Sequence, residues 1–253
     1  MTIITALFIP EGIILGSDSQ TTIFRTEKDA NGNTVQRPIK SFTNAQKIFN
    51  LTPEIDGINV CLSQFGSAFI GNKPISTHIF TLREILKRKN ADELKIVETA
   101  YDWVVDYFLS LDKNQVSGLN FYLTGFDRID DEINPVLYAA RFSLDGNGEI
   151  NNNKKLLSTP NLYTLYWTGE GEWIIRKLIN LSDSAKNIPV AQIPFNLLSL
   201  KDGTEFTEYL IKTVIGFEKF HAQFPTCGGK ANIGIQTPKE FKFLNKKDSD
   251  LFI

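Results

Sequence analysis

Residues 1–22 read MTIITALFIPEGIILGSDSQTT. Thr2–Ile9 is rich in β-branched side chains and is followed by Pro10-Glu11-Gly12, where a ring-fixed φ and a glycine favour a reversal. Ile13–Ser17 then resumes the same composition, so the segment predicts a β-hairpin at the very start of the chain. Working outward, Arg25–Pro38 (RTEKDANGNTVQRP) is polar, contains Asn-Gly and shows no apolar period, which predicts an exposed loop or a hairpin extension. Strand patterns return at Gln46–Leu51 and Gly57–Ser63.

Helical periodicity follows. His78–Lys89 places Ile79, Leu82, Ile85 and Leu86 on one stripe, and Leu94, Val97, Tyr101, Val104, Phe108 and Leu111 recur at steps of three and four. Asn90 with Glu93 three residues later resembles a capping box and predicts that the second helix starts near Ala91. Leu119–Gly125 and Val136–Phe142 read as strands again, then helices at Trp173–Leu181 and Thr204–Phe220, then strands at Ala231–Gln236 and Phe241–Leu244. Strand blocks linked by hairpins, with helices between the blocks, predict an α+β fold of antiparallel sheets with segregated helices, not a doubly wound parallel sheet. No repeat, low-complexity tract or linker divides residues 1–253, which predicts a single domain.

Composition narrows the function classes. The 253 residues are 42% hydrophobic and 22% charged, enough to bury a large core. Against 29 acidic residues there are 27 lysines and arginines, and their densest clusters, Leu86–Asn90 and Asn245–Asp248, are too sparse for a nucleic-acid stripe. No apolar run reaches the roughly 18 residues that span a bilayer, and the N-terminus lacks the layout of a signal peptide, so the expectation is a cytoplasmic protein that binds neither nucleic acid nor membrane. Two cysteines (Cys61, Cys227) and two histidines (His78, His221) leave little material for a metal site, a disulfide framework or Ser-His chemistry.

The terminus offers a different chemistry. Removal of Met1 ahead of the small Thr2 would leave a hydroxyl and an α-amine on one residue. An α-amine has an ordinary pKa of about 7.7–8.0 and so can accept a proton near neutrality, which a lysine near 10.4 cannot.

Several stretches in register carry a family resemblance. MTIITALFIPEGIILGSDSQTT is similar to the start of a proteasome-type threonine protease β-subunit, and Asn44-Ala45-Gln46-Lys47-Ile48 resembles the segment that carries that family's lysine. Phe65-Gly66-Ser67-Ala68 resembles its oxyanion glycine turn, and Tyr122–Asp127 followed by Pro135-Val136-Leu137-Tyr138 its strand-turn-strand. Gly169-Glu170-Gly171-Glu172 stands where the family has Gly-Ser-Gly-Ser, and Cys227-Gly228-Gly229 where it has Ser-Gly-Gly.

The resemblance implies an N-terminal nucleophile hydrolase with a four-layer αββα sandwich, cleaving peptide bonds without metal or organic cofactor. It implies Thr2 as nucleophile and base, Lys47 as the cation that tunes the amine, Asp18 as the orienter that holds Lys47 in place, and the Gly66 N–H as oxyanion donor. Thr21, Ala45 and Phe49 become substrate-binding residues. The outer positions depart from the family: Glu170 and Cys227 replace serines and Phe224 replaces an aspartate, so Glu170 is assigned the carboxylate that Phe224 cannot supply. As partners the resemblance implies a peptide or unfolded-protein substrate, a homo-oligomeric ring and a separate ATPase unfoldase. Two alternatives stay open: a non-catalytic scaffold that retains Met1, and an amidase acting on small molecules. For Arg25–Pro38 a substrate cap, a subunit contact and a plain solvated hairpin remain equal readings.

Overall fold

The computed structural model describes residues 2–129, 132–169, 172–179, 193–220 and 224–244. The chain opens with the expected hairpin, β1 (Ile3–Ile9) and β2 (Gly12–Ser17), in antiparallel register from Ile4 opposite Ser17 to Ile9 opposite Gly12. Every residue of both strands is buried. Alternation explains this, because a strand between two layers must be apolar on both faces. Ile3, Leu7 and Ile9 turn to one side and Ile4, Ala6 and Phe8 to the other.

A second hairpin, β3 (Thr21–Lys28) and β4 (Thr34–Phe42), forms its own two-stranded sheet. Arg25–Pro38 is therefore a hairpin extension: Asp29 Oδ1 accepts from the Asn31 and Asn33 N–H groups at 2.8 Å each, and Gly32 takes φ +82° at the turn. β5 (Ile48–Asn50) and β6 (Cys61–Gly66) follow, then the two-residue strands β7 (Phe69–Ile70) and β8 (Lys73–Pro74). Helices α1 (Ile75–Lys87), α2 (Val97–Leu109) and the short α3 (Lys113–Val116) lead to the long strands β9 (Leu119–Ile129) and β10 (Glu132–Leu144) and to β11 (Ile150–Leu156). The remainder is β12 (Leu165–Gly169), α4 (Glu172–Ile179), α5 (Leu200–Glu218), β13 (Asn232–Gln236) and β14 (Phe241–Phe243).

The fold is mixed α+β, with two five-stranded sheets in the orders β12-β1-β2-β13-β14 and β11-β10-β9-β6-β5. All strand pairings described are antiparallel. Three apolar clusters hold these elements together. One joins Ile79, Leu82, Tyr101, Val104 and Phe108 of α1 and α2 to Leu62, Phe121 and Leu123 of the second sheet. Another joins Leu210, Ile211 and Val214 of α5, with Ile174 and Ile175 of α4, to Leu7 and Ile14 of the first sheet. The third lies between the sheets and contains Ile4, Phe8, Leu15, Ile48, Cys61, Tyr122 and Leu137.

Helix boundaries differ from expectation, and α1 runs Ile75–Lys87 in place of His78–Lys89. α2 starts at Val97, not near Ala91: Asn90 Oδ1 accepts from the Asp92 N–H at 3.0 Å, Glu93–Lys95 make a single 3-10 turn, and Ile96 is extended. The cap comes from another strand, since the Val97 N–H donates to Asp127 Oδ1 at 2.7 Å. α5 starts four residues before Thr204, where Ser199 and Asp202 make a reciprocal capping box. Of the helix expected at Trp173–Leu181, the last two residues lie outside the described ones.

Gly203, in the first turn of α5, is what lets that helix approach the first sheet. A Cβ there would lie 2.6 Å from Ile14 Cδ1 and 3.3 Å from Leu7 Cδ2. Gly203→Val is expected to lower stability by ~1–3 kcal/mol through overpacking, read as a lower midpoint in urea unfolding with an unchanged slope.

Candidate functional site

The site is built around one carboxylate. Asp18 immediately follows β2 and is fully buried, a placement that is tolerable only with its lone pairs satisfied. Four donors do this. Lys47 Nζ donates to Oδ1 at 2.7 Å and the Ile3 N–H to the same oxygen at 3.1 Å; the Gln20 and Gly228 N–H groups donate to Oδ2 at 3.1 Å each. Because Lys47 and Ile3 share one oxygen, the ammonium is held within two hydrogen-bond lengths of the Thr2–Ile3 peptide. Lys47 is 3% exposed, and burial pushes its pKa down while the Asp18 carboxylate acts in the opposite sense.

Thr2 is 5% exposed and continues the parity of Ile4, Ala6 and Phe8, the side of β1 that faces the second sheet. Its carbonyl lies against Gly169 at the end of β12, where φ is +110° and a Cβ would run into the Thr2 backbone. Lys47 is tied to the second sheet as well, its C=O accepting from the Gln64 N–H at 2.8 Å. Two residues beyond Gln64, Gly66 ends β6 with φ +83°, and a Cβ there would lie 2.7 Å from Asn120 Nδ2. The Asp18 hydrogen bonds thus bring the start of β1, Asp18 and Lys47 together at one end of the two sheets, and Gly66 ends the strand bonded to Lys47.

The loops beside Asp18 are laced together. Ser19 Oγ donates to the Thr43 C=O at 2.6 Å and accepts from the Lys230 N–H at 2.7 Å, and the Ala45 N–H donates to the Ser19 C=O at 2.8 Å. Gly229, at φ +76°, is required where Ser19 and Thr43 crowd its backbone. Thr21 and Ala45, both half-buried, flank the stem of the β3–β4 hairpin. Phe49 does not line a cleft. It is 3% exposed and packs in the cluster with α1 and α2, on the helix side of the second sheet, because its strand is covered on both faces.

Of the outer positions, Glu170 lies outside the described residues. Phe224 is 45% exposed. Cys227 is 1% exposed, and burial, reinforced by the Asp18 carboxylate, pushes its thiol up to about 12. Such a thiol is protonated at neutral pH and is no nucleophile. It precedes Gly228, so it sits where it fixes a donor to Asp18.

Three residues of this neighbourhood escaped the sequence reading. Glu218, 6% exposed at the end of α5, accepts from the Thr226 N–H at 2.8 Å and Thr226 Oγ1 at 3.1 Å, and so anchors the loop that carries Cys227 and Gly228. Its signal was a carboxylate continuing the buried stripe Leu210, Ile211, Val214 and Ile215. Ser17 and Ser63 are fully buried, and their hydroxyls have no hydrogen-bond partner among the described residues. Ser17 adjoins Asp18, and Ser63 pairs with Ile48, next to Lys47. Orphaned hydroxyls at such a place suit a site that meets another polar group.

No protein-family model matches the chain, and a search of curated proteins gives no match. Among the described residues, no group of three or more His, Cys, Asp and Glu side chains converges as a metal site, and no helix is long and apolar enough to cross a membrane.

Removing one partner of the buried Asp18–Lys47 pair is expected to cost ~3–5 kcal/mol. In a double-mutant cycle, Asp18→Asn with Lys47→Met should cost less than the two single changes together, which urea unfolding measures. The raised Cys227 thiol sets a second expectation. Above its ordinary value of 9.0 the unfolded chain loses that proton while the folded chain keeps it until about 12, so stability falls as pH rises through this window. Cys227→Ala should flatten that decline, and iodoacetamide at pH 8 should leave Cys227 of the native protein unlabelled.

Proposed function

We propose that this chain is a threonine hydrolase of the N-terminal nucleophile class, with the four-layer αββα architecture of proteasome-type β-subunits, and that it cleaves peptide bonds. The observation that carries the reading is the single Asp18 oxygen that holds both the Lys47 ammonium and the amide next to Thr2.

In this reading the loss of Met1 frees the Thr2 α-amine. The Thr2 hydroxyl attacks the scissile carbonyl, the amine takes the hydroxyl proton, and the Gly66 N–H faces the oxyanion. Collapse of the tetrahedral intermediate breaks the C–N bond, and the amine returns the proton to the leaving nitrogen. Water then enters by the same route, releasing the acid and regenerating the hydroxyl. Lys47 tunes the α-amine, because a nearby fixed cation disfavours a second positive charge and lowers the amine pKa toward neutrality. Asp18 keeps Lys47 ionised and aimed. Burial lowers the affinity of Lys47 for its proton, and the bond to Asp18 opposes that shift, as a group that contributes charge requires. A homo-oligomeric ring fed by a separate ATPase belongs to the same reading.

One observation favours a second reading, a scaffold of the same architecture that retains Met1. The position of the family's outer aspartate is the half-exposed Phe224. Intact mass separates the two. The hydrolase reading expects a chain that begins at Thr2, cleaves fluorogenic peptides faster than simple acyl amides, and loses more than about 10³-fold in kcat on Thr2→Ala. Thr2→Ser should keep measurable turnover. A retained Met1 in the assembled protein, or peptide cleavage that Thr2→Ala does not change, rejects it.

A further inference from the structure

The two sheets are not equally wide above one another, and the overhang makes a groove away from Asp18. β12 is the edge strand of the first sheet, and it lies over β9, where Tyr122 Oη donates to the Trp167 C=O at 3.1 Å. The second sheet continues past that edge through β10 and β11. Its inner face there carries Ala139 and Arg141 of β10, opposite Lys155 and Asn153 of β11. With Leu165, Tyr166 and Trp167 as the other wall, these residues line an open groove of about 510 Å³, within the range of ligand pockets.

Three features of this groove point to one kind of occupant. First, among the described residues it is lined by two cations and no carboxylate. Arg141 and Lys155 make no ion pair among the described residues, whereas the neighbouring Lys154, on the opposite face of β11, is bound by both Glu98 and Asp102 at 2.8 Å. Arg141 and Lys155 are diagonal neighbours on one strand pair, where like charges repel and a concave wall concentrates their field. An anion between them relieves that repulsion.

Second, the wall is a strand edge. The Phe8 N–H donates to the Thr164 C=O at 2.8 Å, so by antiparallel alternation Thr164, Tyr166 and Thr168 face β1, and the backbone groups of Leu165 and Trp167 turn outward. The bond from Tyr122 to the Trp167 carbonyl shows that outward direction directly. Third, the floor is set in advance: Tyr166 packs edge-on to Phe8 and donates its hydroxyl to the Leu157 C=O at 3.0 Å.

We infer that the β12 edge, with Arg141 and Lys155, binds an acidic peptide segment in extended form, its backbone pairing with Leu165 and the Trp167 N–H and its carboxylates meeting the two cations. This is β-strand addition with charge supplying the selectivity. It stands apart from the hydrolase reading, since none of these residues belongs to the Thr2–Asp18–Lys47 set.

The test uses the full chain and a fluorescein-labelled hexapeptide of alternating Glu and Val, followed by fluorescence anisotropy at low and at physiological salt. The expected result is saturable binding that weakens with salt, at least tenfold weaker binding to the Arg141→Gln/Lys155→Gln variant, and slowed hydrogen exchange at the Trp167 amide when the peptide is present. Both changes are at exposed side chains, and circular dichroism checks that the variant is folded. The inference is overturned by absence of saturable binding, by equal affinity in the variant, by an unprotected Trp167 amide, or by an alternating Lys-Val peptide binding as well. Competition by a single-stranded oligonucleotide at equal charge concentration would likewise overturn it, marking a groove for polyanions in general.

Discussion

A buried carboxylate with four donors cannot be moved without stranding several of them, and this makes Asp18 the fixed point of one end of the molecule. Its donors come from the start of β1, the residue after Ser19, the approach to β5 and the loop before β13. Segments from four parts of the chain are therefore held to one pair of oxygens. The energetic logic is asymmetric: the pair Asp18–Lys47 adds little over a well-packed apolar substitute, but either member alone leaves an uncompensated charge. Such an arrangement is therefore a weak source of net stability and a strong constraint on geometry.

The sheets decide where that end lies. Because β1 and β2 are apolar on both faces, one hairpin supplies the helix-side cluster and the inter-sheet cluster together. The polar residues Thr2, Ser17 and Asp18 stand where the apolar alternation stops, and Lys47 and Ser63 stand at the matching end of the second sheet. Burial at this junction follows from the sheets on either side, and polarity follows from the sequence. The same logic operates at the opposite kind of boundary. At β10 the inward parity runs Leu137, Ala139, Arg141, and the change from apolar to cationic marks the point where the first sheet no longer covers the second.

Local patterns made much of this legible. β-branched runs with a Pro-Glu-Gly turn gave the opening hairpin, and hairpin-linked strand blocks gave antiparallel sheets with helices between them. Periodicity identified the buried stripes of α1 and α2, whereas on α5 Leu210 and Val214 are buried and Phe217 of the same expected stripe is exposed. Features set by distant partners were not legible. Asn90 and Glu93 satisfy the spacing rule for a cap, yet α2 waits for Val97 because Asp127, from another strand, supplies the acceptor. The resemblance made Phe49 a substrate-binding residue, but the alternation of β5 sends it to the helix side. The pairing of Asp18 with Lys47 rested on resemblance, since nothing in an isolated Asp or Lys distinguishes a buried partner from a solvated one.

Glu218 shows how a helix end can fix the loop that completes the Asp18 contacts. The loop from Phe224 to Gly229 must present the Gly228 N–H to Asp18, and a loop with only backbone contacts would be loosely placed. Here the Glu218 carboxylate receives both the amide and the hydroxyl of Thr226, two residues before that donor, from the rigid end of a nineteen-residue helix. Cys227 fills the space between these anchors as a neutral, apolar side chain. Cys227 brings no hydroxyl to the neighbourhood of the Asp18–Lys47 pair, and the buried hydroxyls of Ser17 and Ser63 have no hydrogen-bond partner among the described residues. This end of the molecule is thus positioned through the α5 carboxylate, while its buried charges are those of Asp18 and Lys47.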